Sequence, residues 1–110
     1  MAQSKLRSVA LGFAALATLN LLVYGSAIGF SFIDLDDAEY VSANPSVAAG
    51  LTWRGISWAL TTATAANWHP VTMLSHMLDA QVFGLWAGGH HLTNLLLHTA
   101  NSLLLFALIP

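Results

Sequence analysis

The sequence has no cysteine, and only 7% of its residues are charged. Without cysteine there is no disulfide framework, no thiolate metal site and no cysteine nucleophile. A soluble domain carries about 25% charged residues, and a small one needs them because its surface is large for its volume. A chain that is 56% hydrophobic cannot cover that surface, which argues against a free-standing soluble enzyme and for a membrane protein. Disorder is excluded by the same numbers, since disordered chains are apolar-poor and charge-rich. The net charge of -2 gives no electrostatic footprint for nucleic acid. A Gly-rich phosphate loop, a nucleophile elbow and a catalytic triad spacing are all missing.

The few charges that are present are segregated. Lys5 and Arg7 open the chain, and the next charged residue is Asp34. The uncharged run between them, residues 8–33, exceeds the roughly 20 residues that a bilayer-crossing helix needs. The basic residues before it put residues 1–7 in the cytoplasm by the positive-inside rule. Gly25, Ser26 and Ala27 also resemble a signal-peptide cleavage site, but the apolar stretch outruns an h-region of about 7–15 residues. A second apolar run covers residues 90–110 and reads as a second transmembrane helix. It stops without a polar flank, as if the chain were cut off there.

Residues 34–89 between the spans read as an extracytoplasmic loop. All four tryptophans lie in it, and tryptophan favours the headgroup region, so the loop is expected to lie on the membrane. Asn44, Pro45 and Gly50 signal turns. Trp53, Ile56 and Leu60 keep helical spacing behind Thr52, a plausible N-cap. A break at residues 65–70 precedes a second helix that opens on Pro70. There Met73, Leu74, Met77, Leu78, Gln81 and Val82 share one side, while His69, Thr72, His76 and Asp79 line another. This helix is expected to run to about Leu85, and Gly88 and Gly89 to end the unit before the second span. The predicted fold is thus an all-α membrane protein, with two transmembrane helices joined by an outer loop with interfacial amphipathic helices.

Three constellations could carry chemistry. Asp34, Asp36, Asp37 and Glu39 place four acids in six residues. Such crowding can raise a carboxylate's pKa to suit a general base, or bind a divalent cation at Asp36 and Asp37; the plain alternative is a solvated stop after a membrane span. His91, Asn94, His98 and Asn101 fall at steps of three and four on one helix face. They could line a polar substrate group or serve as interhelical hydrogen-bond glue. His69 with His76 and Asp79 could hold a metal or relay protons. Zinc needs three or four ligands, however, and no His-x-x-x-His pattern occurs, so a histidine tucked against tryptophan is the preferred reading. His90 and His91 point to different helix faces and do not share an ion.

The motifs Asp36-Asp37-Ala38-Glu39-Tyr40-Val41, Asn44-Pro45, Gly50-Leu51-Thr52-Trp53, Asn67-Trp68-His69-Pro70-x-Thr72, Ser75-His76-Met77-Leu78-Asp79 and Gly89-His90-His91-Leu92-x-Asn94 together carry a resemblance. Residues 30–106 resemble bacterial membrane proteins that end in tetratricopeptide repeats, which are similar to the animal transmembrane-and-repeat O-mannosyltransferases and, more broadly, to the GT-C glycosyltransferases. Met73 stands where an aromatic residue is expected. The resemblance implies a bacterial inner-membrane enzyme that takes a sugar from a polyprenyl-phosphate carrier and passes it to an extracytoplasmic acceptor, a protein or a glycan. Asp36 or Asp37 would be the general base. Glu39, His69, His76, His90, His91, Asn94 and His98 would hold donor phosphate or acceptor, with membrane lipids as the surroundings. No nucleic acid enters this picture. The 110 residues alone are expected to be inactive. The alternative is a non-catalytic membrane anchor or assembly module of a tetratricopeptide-repeat protein.

Overall fold

The computed structural model describes residues 2–109, of which Ala2 is described in its backbone only. It is helical throughout, with no strand among the described residues. Helix α1 is Ala2–Tyr24, α2 is Pro45–Ala48, α3 is Trp53–Thr61, α4 is Pro70–Phe83 and α5 is Ala87–Leu108. A 3-10 turn, Gly25–Gly29, follows α1, and a π-helical turn, Ala38–Ser42, precedes α2. The chain divides into two compact units: the two terminal segments, up to Ile28 and from His91, and the stretch Gly29–His90 between them.

In the terminal unit α1 and α5 pack side by side. Phe106 lies over Gly12, and Phe13 meets its ring edge-on, with centroids 5.4 Å apart. Among the described residues one helical stretch, Gln3–Gly29, is long and apolar enough to cross a membrane; such a stretch near an N-terminus acts as a span or as a signal sequence. It starts earlier than the expected 8–33 and stops at Gly29, before the acids. Helix α5 has the length, 22 residues, but His91, Asn94, His98 and Asn101 dilute its apolar character. The second expected span, residues 90–110, is therefore not matched by a second stretch of that kind.

The middle unit is built around α4. Met73 and Met77 are buried there against Val41, Val47, Ala59 and Ala80, with Phe32, Tyr40, Trp58 and Leu74 packed around them. The local signals work as read. Asn44 caps α2 by accepting the amides of Ser46 and Val47, and its own Nδ2 donates to the Glu39 carbonyl at 2.9 Å. Thr52 Oγ1 accepts the Gly55 amide, and Pro70 opens α4. Gly50 takes φ +75°, a left-handed conformation that suits glycine, and Gln81 Oε1 accepts the next amide, that of Leu51. The expected apolar side of α4 divides. Met73 and Met77 are buried, whereas Leu78 and Val82 are exposed.

Helix α4 ends at Phe83, close to the expected Leu85, but the glycine pair expected to end the unit is not a break in the chain. Helix α4 stops at Gly84, which takes φ +64°, and α5 starts at Ala87 and runs through both glycines. Gly89 is there for closeness, because a Cβ on it would run into Cβ and Cγ of Phe83. The root of a ring cannot swing aside, so overpacking should cost about 1–3 kcal/mol. Gly89→Ala is therefore expected to lower the thermal midpoint of the detergent-solubilised chain. Gly25→Ala, whose added methyl meets nothing within 4 Å, is expected to leave it nearly unchanged. Equal midpoints for the two variants would show that Phe83 yields.

Candidate functional site

The residues singled out by sequence fall into the two units, which carry separate polar groupings. In the middle unit the acidic segment is shaped by its own backbone. Asp37 Oδ2 accepts the Ile33 amide at 2.9 Å, which fixes the carboxylate of a half-buried side chain, while Asp36 is exposed. Glu39 has a different task. Its Oε1 accepts the Ala65 amide at 2.8 Å, tying the acidic segment to the tight turn closed by Thr64 and Asn67. Ala65 and Ala66 both have positive φ, a conformation that costs free energy for alanine, so this bond holds a strained turn. Glu39, a candidate substrate ligand by sequence, clamps this turn through Oε1.

The histidines of this unit gather around α4. The ring of His69, at the start of α4, stacks on Tyr40 with centroids 5.1 Å apart. Two turns on, His76 and Asp79 follow at i and i+3, hence on one face. The turn at Gly84 then brings the start of α5 back so that His90 closes the group. Asp79 and His90 are buried, at 5% and 3% exposure, and His90 Nδ1 lies 3.8 Å from Asp79 Oδ2. The His76 and His90 rings are 6.1 Å apart, and Phe32 meets the His90 ring edge-on. His90 Nε2 is 3.1 Å from the Gly84 carbonyl. A carbonyl only accepts, so Nε2 carries a proton, and in the neutral ring Nδ1 presents a lone pair.

Burial pushes the pKa of His76 below its usual value, and the neighbouring His90 pushes the same way, as does His69 more weakly; Asp79 and Asp37 pull it back up. The net effect keeps the His76 imidazole neutral at pH 7. The influence of Asp37 puts the acidic segment within electrostatic reach of the histidine cluster. Sequence spacing grouped His76 and Asp79 with His69; the third member is His90, and the hint was the glycine that turns α4 into α5.

In the terminal unit His91, Asn94 and His98 line one pocket of about 280 Å³ together with Tyr24, Ala27 and Leu95. Tyr24 meets the His98 ring edge-on, with centroids 5.1 Å apart. Asn101, the fourth residue of the stripe, is exposed and not part of that lining. Tyr24 and Ala27 are the lining residues that the sequence reading missed. They lie in an apolar run whose periodicity carries no polar signal.

The Glu39 clamp makes a local prediction. Glu39→Ala should speed hydrogen exchange at the Ala65 amide about tenfold, the effect of losing roughly 1.4 kcal/mol from one charge-assisted bond. Glu39→Gln, which keeps an acceptor oxygen, should exchange close to the wild-type rate. Exchange mass spectrometry of residues 60–70 reads both.

No protein-family model, no curated protein and no solved structure matches this chain.

Proposed function

We propose that the chain is the N-terminal portion of a membrane glycosyltransferase, which moves a sugar from a polyprenyl-phosphate carrier to an extracytoplasmic acceptor, protein hydroxyl groups included. The observation that carries the reading is that the middle unit holds both an oriented carboxylate and a cluster of partly buried histidines. Asp37 is held by the Ile33 amide and acts on His76 through space. An acceptor hydroxyl needs a base to take its proton as its oxygen attacks the anomeric carbon. Asp37 is the better base of the acidic pair because its direction is fixed, and exposed Asp36 serves acceptor approach. Imidazoles that keep N–H donors in a water-poor setting suit the oxygens of a donor phosphate.

The surroundings support a lipid boundary. Trp53, Trp68 and Trp86 are exposed, as are Val71 and Val82 on α4, and such side chains suit headgroup and acyl contact. In this reading Gln3–Gly29 crosses a bacterial inner membrane with the N-terminus in the cytoplasm. Helix α5 is the second crossing helix, its polar stripe turned away from lipid. The donor is a lipid-linked sugar and the acceptor a protein or glycan. A second reading, a non-catalytic anchor or assembly module, draws on the Tyr24–His98 contact, in which the stripe serves packing alone.

In the full-length protein, assayed for transfer from a polyprenyl-phosphate sugar, Asp37→Asn should lose roughly 100-fold or more, the scale of a general base. Asp36→Asn should lose less. Full activity in both variants would remove the base assignment and favour the anchor.

A further inference from the structure

We propose that His76, Asp79 and His90 form a binding site for a divalent transition metal of the zinc class, held by two imidazole nitrogens and one carboxylate oxygen. One ligand atom from each residue lies within 4.8 Å of the other two. Metal–nitrogen and metal–oxygen bonds of about 2.0–2.2 Å put tetrahedral ligands about 3.3–3.5 Å apart. The 3.8 Å between His90 Nδ1 and Asp79 Oδ2 is near that spacing, and the His76 ligand atom lies within 4.8 Å of the other two.

The ligand orientation follows from the surroundings. The Gly84 carbonyl takes the proton of His90 Nε2, the outer-shell bond that metal-ligating histidines usually make. It leaves Nδ1 as a lone pair aimed at the carboxylate, and this buried nitrogen has no hydrogen-bond partner. His76 Nδ1 is in the same condition. Two lone-pair atoms facing each other at 3.8 Å in a buried setting repel, and a cation between them turns that repulsion into coordination. Two nitrogens and one oxygen suit zinc or cobalt better than calcium or magnesium, which prefer all-oxygen shells. Three protein ligands leave a tetrahedral ion one position for water or an incoming anion.

This site needs nothing from the glycosyl-transfer reading and does not use Asp36 or Asp37. The test is metal binding by the full chain in detergent, stripped with chelator. Zn²⁺ is followed by calorimetry and Co²⁺ by its visible absorption. One equivalent should bind, and Co²⁺ should show the intense bands of tetrahedral coordination. His76→Ala and His90→Ala should each weaken binding about 100-fold or more. His69→Ala and the Asp36→Asn, Asp37→Asn double variant should bind as the wild type does. If His90→Ala fails to fold, the half-buried His76→Gln decides. No saturable binding, or binding unchanged in the folded His76 variants, overturns the proposal. Loss of binding in the Asp36, Asp37 double variant with retention in His76→Ala overturns it too, and moves the cation to the acidic segment.

Discussion

A buried carboxylate in a chain almost without charge is the constraint on which the middle unit turns. Asp79 is 5% exposed, and an ionised carboxylate at that depth costs several kcal/mol unless polar or cationic neighbours offset it. The fold brings His90 Nδ1 to 3.8 Å from it, the gap in which the proposed cation would sit. Bringing it requires α4 to stop at Gly84 with a positive φ. It also requires α5 to start at once, and Gly89 to lie against Phe83 with no side chain of its own. The same Gly84 supplies the carbonyl that orients the His90 ring. One turn thus sets chain direction, imidazole tautomer and the spacing of three metal-ligand atoms. On the other side α4 presents Met73 and Met77, adaptable side chains that gather α2, α3 and the π-helical turn.

What could be read from sequence was mostly local. Asn44, Thr52, Pro70 and Gly50 each act on backbone within a few residues of themselves, so residue type and position were enough. The all-helical class followed from the spacing of apolar residues. Gly88 and Gly89 were read as the end of the unit before the second span, whereas α5 runs through both and the missing Cβ of Gly89 serves a close approach to Phe83. The bond of Glu39 to the Ala65 backbone amide, 26 residues away, left no trace in local spacing. His90 was separated from His76 and Asp79 because helical spacing says nothing across a turn. The stripe on α5 was legible for His91, Asn94 and His98. It failed at Asn101, where the face continues but the pocket does not.

Scarcity of charge also gives the functional reading its physical sense. Where eight charged side chains serve 110 residues (three basic, five acidic), each is an expensive commitment near lipid. Four of the five acids follow, in sequence, the one helical stretch among the described residues that is apolar enough to cross a bilayer, and the fifth is Asp79. Asp37 and Asp79 both bear on His76, so acidic segment and histidine cluster form one electrostatic neighbourhood. In the proposed reading this unit, which also exposes tryptophans and valines, would work between a lipid-anchored donor and a polar acceptor.

The most direct test of this account is the protonation pattern of the His90 ring. Nitrogen NMR of the chelator-treated chain, with histidine labelled on both ring nitrogens, distinguishes a protonated from a lone-pair nitrogen. A proton on Nε2 and a lone pair on Nδ1 is the predicted result. A neutral ring protonated at Nδ1 would contradict the bond to Gly84, and with it the geometry that joins Asp79, His76 and His90.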